Sequence, residues 1–235
     1  MVCGTPCVEA TLRVLAPGAR ITWAVAEGQR CVPDAMVFEA TGPAHALLSA
    51  ERTLLNFLQL LSAVATRTAA FVQAVQGTGA QIVDTRKTLP GLRLAQKYAV
   101  RVGGGTNHRL GLHDAVLLKE NHIAAAGGVR RALHAAARLA GQARFVQIEV
   151  ESLAQLDEAL QAGASMVLLD NMDLATVRQA VQRNAGRAIL EASGGVTLDR
   201  VRALAEAGVH RISIGSLTKD VQAVDFSMRL AELAA

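Results

Sequence analysis

The sequence predicts an α/β protein whose larger part is a parallel α/β barrel, complete or incomplete, and three observations predict it. From Gln81 onward, short apolar segments alternate with amphipathic ones, the signature of βα units. The residues at or near the ends of successive apolar segments keep a beat: Glu149 to Asp170 is 21 residues, Asp170 to Glu191 is 21 and Glu191 to Gly215 is 24, as parallel strands in register would give. No apolar segment runs into G-x-G-x-x-G, which disfavours an open dinucleotide-binding sheet. In a barrel the chemistry gathers at the C-terminal ends of the strands, so the residues just after each strand carry the functional reading.

The first forty residues read as short strands and turns at 7–15, 20–26 and 36–40, punctuated by Pro17-Gly18 and Gly28, and are too few for a core of their own. After Pro43, apolar residues recur by threes and fours at Leu47, Leu54, Leu55, Leu58, Leu61, Ala65, Ala69 and Val72, predicting a long helix that stops at Gly77-Thr78-Gly79 and bridges two domains. The division expected is 1–76 for the N-terminal portion with its bridging helix and 77–235 for the barrel. Seven barrel strands are expected, at 81–84, 99–102, 115–119, 145–150, 166–169, 188–191 and 211–214. Helices are expected at 129–140, 153–162, 174–183, 198–207 and 221–233, the last placed to pack back on the N-terminal portion.

The chain has 235 residues, 51% hydrophobic against 19% charged, with 20 Gly and 5 Pro, which excludes disorder, collagen and coiled coil. Aromatics at 3% leave little surface for stacking single-stranded nucleic acid. The net charge of +4 is spread without a basic block, so an anionic small molecule is the expected partner and nucleic acid is not. Cys3, Cys7 and Cys31 are odd in number and lack a following His/Cys pair at zinc spacing, which fits a reducing cytoplasm without disulfides. Glu9 is the first charged residue, so no basic leader region is expected, and no apolar run is expected to approach a membrane span.

Five constellations could carry chemistry. Asp84-Thr85-Arg86-Lys87-Thr88 brings two cations out together after a strand, where the bland reading is a solvated turn. Gly103-Gly104-Gly105-Thr106-Asn107-His108-Arg109 sets a donor and a planar fork suited to carboxylates behind three glycines able to bring amides to a ligand; a floppy loop is the alternative. Lys119-Glu120-Asn121-His122 follows the next strand, and Lys119 is either a counter-charge, a Schiff-base nucleophile or a lysine snorkelling at the rim. Glu149 and Asp170, at equivalent points of successive units, could hold Mg²⁺ through water, accept sugar hydroxyls and stabilise an oxocarbenium-like transition state, while Glu151 and Ser152 read as helix capping. Ser193-Gly194-Gly195 and Gly215-Ser216 are glycine turns in the last two units, where barrel enzymes bind phosphate and where plain tight turns are the alternative.

These motifs, in the order Glu51-Arg52-Thr53, Asp84 to Thr88, Gly103 to Arg109, Lys119 to His122, Leu169-Asp170-Asn171 and Glu191 to Gly195, make the chain resemble quinolinate phosphoribosyltransferases from about Cys3 to the C-terminus. The resemblance implies an incomplete, TIM-like parallel α/β barrel with a small N-terminal α/β sandwich. It further implies Mg²⁺-dependent transfer of phosphoribose from phosphoribosyl pyrophosphate to quinolinate, with decarboxylation to nicotinate mononucleotide in NAD biosynthesis. It implies a homodimer in which Arg52 reaches across to the second subunit. Thr85, Arg86, His108, Arg109 and Lys119 would hold quinolinate, with Lys87 between the two substrates. Glu149 and Asp170 would take the ribose hydroxyls and the metal, and Ser193, Gly194, Gly195, Gly215, Ser216 and Lys219 the phosphates.

The chain departs from the family pattern at three points. It starts inside the pattern, so the sandwich is expected to be truncated; Glu120 stands where many members carry Asp, and Lys219 where several carry His. The competing readings are a sister protein found with molybdate transport genes, an aldolase-type enzyme using Lys87 or Lys119, and a non-catalytic anion-binding protein.

Overall fold

The carboxylate of Glu27 starts the chain's first helix. It accepts the backbone N–H groups of Gly4 and Thr5 at 2.9 Å, satisfying donors that a helix leaves free. Helix α1 (Thr5–Leu15) follows, burying Val8 and Leu12 one turn apart. The expected strand at 7–15 is therefore a helix, because its apolar residues face one neighbour, α2, at helical spacing. Strands β1 (Arg20–Trp23) and β2 (Phe38–Thr41) pair antiparallel with Arg20 opposite Thr41, close to the strands expected there, and Trp23 packs on Phe38 with ring centroids 5.1 Å apart. The computed structural model describes residues 1–139 and 141–231.

The long helix forms as α2 (Ala44–Ala74), 31 residues that bury Leu47, Leu54, Leu55, Leu58, Leu61 and Phe71. One correction concerns its composition: over 18 residues its mean hydropathy reaches 1.3, long and apolar enough to cross a membrane, contrary to expectation. In the structure that apolar surface packs against α1 and α3 and both adjoining cores.

Beyond it run β3 (Gln81–Val83), α3 (Arg93–Val102), β4 (Val116–Leu118), α4 (Glu120–Ala126), α5 (Val129–Ala137), β5 (Val146–Val150), α6 (Leu153–Gln161), β6 (Met166–Asp170), α7 (Leu174–Asn184), β7 (Ile189–Ser193), α8 (Leu198–Glu206), β8 (Arg211–Ser213) and α9 (Ser216–Lys219). Six strands, all parallel, lie in the order β3-β8-β7-β6-β5-β4. The sheet is an incomplete barrel, open between β3 and β4; a single bridge from Val83 to Thr106 lays the segment after the glycines along the free edge of β3.

The seventh strand, expected at 99–102, is instead the last turn of α3. Ala99 and Val100 are apolar because they bury against Leu61, Val64 and Ala65 of α2, and a run that short has no period to tell helix from strand. The three glycines are corrected with it. The amides of Gly103, Gly104 and Gly105 bond to carbonyls of Ala99, Arg101 and Val100, ending α3, and so are not free for a ligand. A Cβ on Gly103 would stand 2.5 Å from the Ala65 carbonyl, and one on Gly105 2.7 Å from Thr68, so these glycines let the turn lie directly on α2.

Alternation along the strands sorts the barrel into outside and inside. Ile148, Val150, Val167, Leu169, Leu190, Ala192 and Ile212 pack outward into the core beneath the helices. The residues between them face inward: Gln147 and Glu149 on β5, Leu168 and Asp170 on β6, Glu191 and Ser193 on β7, Arg211 and Ser213 on β8. The interior of this barrel is thus largely polar.

The helix expected at 221–233 is absent over 221–231, which carries no regular secondary structure, and its last two residues lie outside the described residues, as does Ala140 at the end of the expected 129–140 helix. The segment does return to the N-terminal core: the Val224 amide bonds to the Gln59 carbonyl at 3.2 Å, and Phe226 and Met228 pack against the core cluster that α1, the approach to β2 and α2 share.

Candidate active site

The turn after β3 is held in place by its backbone, leaving its cationic side chains available. Thr85 Oγ1 accepts the Lys87 N–H at 3.1 Å, Thr218 Oγ1 donates to the Lys87 carbonyl at 2.7 Å, and the buried Gln96 side chain bonds both the Leu89 amide and the Thr218 carbonyl at 2.8 Å. Two strand ends are tied together in this way. Lys87 is exposed and its Cδ would lie 3.1 Å from a Cβ on Gly215, so a glycine at 215 lets the lysine stem cross the last βα turn.

Asp84, fully buried, organises the next segment. It forms a short contact with Lys97 Nζ and accepts from Asn107 Nδ2 at 2.6 Å and from the His108 amide at 2.8 Å. Burial raises its carboxyl, and the Lys97 ammonium opposes that rise. Asp84 thus anchors the segment that presents Arg109. The Arg109 guanidinium donates to the Ala115 carbonyl at 3.3 Å; burial and then the neighbouring Arg86 hold it below its ordinary value, while Asp114 and Glu149 pull the other way.

Lys119, at the N-terminal edge of α4, places Nζ 3.2 Å from Glu149 Oε2. Burial raises the Glu149 carboxyl, Lys119 lowers it, and Asp170 on the next strand raises it again. Asp170 is half-buried and accepts from Asn171 Nδ2 at 2.8 Å. Lys119 and Glu149 are thus in contact, and Arg86, Arg109 and Asp170 lie near enough to act on the charges beside them, together lining the site end of the barrel. No three His, Cys, Asp or Glu side chains gather among the described residues as a metal cage. The pair Glu149 and Asp170 suits Mg²⁺, which keeps its waters and shares its coordination with substrate phosphates.

Gly194 has φ +104°, and a Cβ there would fall 2.8 Å from Asn171 Cα, so only glycine lets Asn171 lie over this turn. Asn171 itself has φ +53° and donates its amide to the Ser193 carbonyl at 3.0 Å. Gly195 follows with φ +54° and open space around it. Gly215 and Ser216 lead into α9, at whose end the exposed Lys219 pairs with Asp220 at 3.0 Å. Ser152 caps α6 by accepting the Gln155 N–H, as expected, whereas Glu151 caps through neither carboxylate oxygen among the described residues.

Two expected residues stand apart. Arg52 is exposed on α2 and, among the described residues, bonds to none of the cluster. His108 is buried with both ring nitrogens engaged by protein: Nδ1 accepts the Arg109 amide and Nε2 lies 2.8 Å from Gln147 Oε1. Its ring therefore does not open to the site as expected. Lys97, Gln96, Gln147, Glu191 and Arg211 were not legible as site residues. The signal that could have found the last three is alternation: Gln147 precedes Glu149 by two, Glu191 precedes Ser193 by two, and Arg211 precedes Ser213 by two.

A parallel barrel that ends in a cationic cluster beside two carboxylates is the site of an enzyme acting on a polyanion. The chain belongs to the quinolinate phosphoribosyltransferase family: the family's C-terminal domain model matches residues 64–229 and its N-terminal domain model residues 1–62. It is 46% identical over 216 residues to the nicotinate-nucleotide pyrophosphorylase [carboxylating] of Mycobacterium leprae, covering 91% of this chain and 76% of that protein. It is 39% identical over 235 residues to the human protein of the same name, covering 98% and 78%. Among solved structures, NadC from Streptococcus pyogenes superposes with a TM-score of 0.92 at 40% identity, covering 97% of this chain and 81% of that one.

Proposed function

We propose that the protein transfers phosphoribose from phosphoribosyl pyrophosphate to the ring nitrogen of quinolinate, giving nicotinate mononucleotide, pyrophosphate and CO₂ in NAD biosynthesis. The observation that carries this reading is the Lys119–Glu149 pair with Arg86, Arg109 and Asp170 close enough to act on its neighbourhood. Quinolinate brings two negative charges and the donor several more, and cations held in a partly dry site offset the repulsion between them. Arg86, Arg109 and Lys119 take the quinolinate carboxylates, supported by the Thr85 turn. Arg52, exposed on α2, completes the site of a second copy in a homodimer. Lys87 lies between the substrates, and the 193–195 and 215–216 turns with Lys219 receive the phosphates.

Glu149 and Asp170 accept the ribose hydroxyls and stabilise positive charge as the bond from the anomeric carbon to the pyrophosphate oxygen breaks and the bond to nitrogen forms. The same pair would hold Mg²⁺ through water, and the ion would supply charge neutralisation for the leaving pyrophosphate. The nitrogen is then cationic, so when CO₂ leaves, the electron pair on the ring carbon is stabilised next to it until a proton arrives. Three free thiols suit a reducing cytoplasm, where we place the protein.

The test is an assay of purified protein with quinolinate, phosphoribosyl pyrophosphate and Mg²⁺, following nicotinate mononucleotide by mass spectrometry with nicotinate as the control acceptor. Product from quinolinate alone supports the reading; no product from either acceptor sinks it.

A further inference from the structure

We propose that His108 is a positioning residue: held as the Nε2–H tautomer between the Arg109 amide and Gln147, it fixes Arg109 for a substrate carboxylate and does not itself touch the substrate. The inference rests on the function proposed above for the choice of substrate, but its geometry does not.

The tautomer follows from donors and acceptors. A backbone N–H can only donate, so His108 Nδ1, 2.8 Å from the Arg109 nitrogen, must present a lone pair. A neutral ring then carries its proton on Nε2, which points at Gln147 Oε1 at 2.8 Å, and this also decides which end of the Gln147 amide faces the ring. The Phe145 ring stands edge-on to the imidazole, interplanar angle 89° with centroids 5.1 Å apart, and fixes the ring plane. The ring is held neutral: burial disfavours imidazolium most, the Gln147 hydrogen bond opposes it, and Arg211, Lys97 and Arg109 add to burial, while Glu191, 3.6 Å from Nε2, is itself paired with Arg211 at 3.1 Å.

The amides of residues 108 and 109 are consequently both held. Asp84 accepts the His108 amide, and His108 in turn accepts the Arg109 amide, so residues 108 and 109 have one orientation relative to β3. Gln147, on the inward face of β5 two residues before Glu149, ties that orientation to the strand that carries the catalytic carboxylate. A guanidinium that must meet a planar carboxylate with two parallel bonds tolerates little rotation of its backbone, so the grip on substrate depends on this chain of contacts.

Histidine-selective ¹⁵N NMR on the intact protein, with His108→Asn to assign the signal among the six histidines, reads the tautomer directly. Expected is a protonated Nε2 and an unprotonated Nδ1, unchanged by saturating quinolinate. Steady-state kinetics of Gln147→Leu and Gln147→Glu complete the test. Losing the acceptor in Gln147→Leu should raise KM for quinolinate up to about tenfold, the upper end for one net hydrogen bond between neutral groups, with kcat and KM for the donor within about twofold. Gln147→Glu, which still accepts from Nε2, should recover most of the loss. A protonated Nδ1, a ring signal that moves when quinolinate binds, or equal loss of both KM values in Gln147→Leu overturns the inference. If Gln147→Leu fails to fold, the NMR result on the native protein decides it, and absence of native turnover counts against the proposed function alone.

Discussion

Lys119 and Glu149 face each other across 3.2 Å at the ends of β4 and β5, a cation and a carboxylate from adjacent strands that share one opening of the barrel. In the proposed reading, an incoming substrate carboxylate would compete with Glu149 for the lysine. Because Lys119 is well exposed at 42%, its attraction to Glu149 is screened and loosely committed, which suits a group that exchanges partners on binding.

Lys119→Ala should therefore raise KM for quinolinate by about 10- to 100-fold, the range for losing one or two bonds to a charged group, while KM for phosphoribosyl pyrophosphate changes little. Initial rates with each substrate varied in turn measure this. Equal loss for both substrates would remove Lys119 from the acceptor site.

The same pair predicts a pH effect. Burial raises the Glu149 carboxyl and Lys119 lowers it, so the ionised form proposed to accept ribose hydroxyls is lost as pH falls through a value above the ordinary carboxylate range. Removing Lys119 lets that value rise, so the acid limb of kcat should move to higher pH in Lys119→Ala. A limb that stays in place or moves to lower pH would show that Glu149 does not set it.

Glu149→Gln and Asp170→Asn keep the shapes of their side chains and remove their charge, so they should lower kcat about 100-fold with KM values within a few-fold, as for groups acting mainly in the transition state. An effect confined to KM would make them binding residues.

Lys97 and Asp84 are 1% and 0% exposed, and each is the other's charge partner. Lys97→Met should cost about 3–5 kcal/mol in chemical denaturation because it leaves Asp84 buried and uncompensated. The double variant Asp84→Asn, Lys97→Met should recover part of that loss.

His108 is pushed down to about 4 from an ordinary 6.5, first by burial. Between those values the unfolded chain binds a proton that the folded one refuses, so its contribution to stability is present above pH 6.5 and is lost as pH falls toward about 4. The stability difference between the native protein and His108→Asn should therefore shrink across that window, by about 3 kcal/mol in full. Urea titrations at several pH values check the sign, and a difference that grows on acidification would refute it.

By itself the sequence determined the parallel βα succession, the long helix before it and the polar residues at strand ends, because each is written locally: a period of two or of three and four, a glycine stop, a charge after an apolar run. Glu149, Asp170 and Lys119 were legible for that reason. The tertiary structure alone decided three things. The helix at 5–15 and the end of α3 are helical because their apolar residues meet α2, a contact made by residues remote in sequence. The three glycines serve the packing of a turn on that same helix, since what stands opposite a missing Cβ is visible only in space. The polar lining of Gln147, Glu191 and Arg211 acquires meaning only when strands distant in the chain close around His108, because a buried donor is defined by the acceptor that folding brings to it.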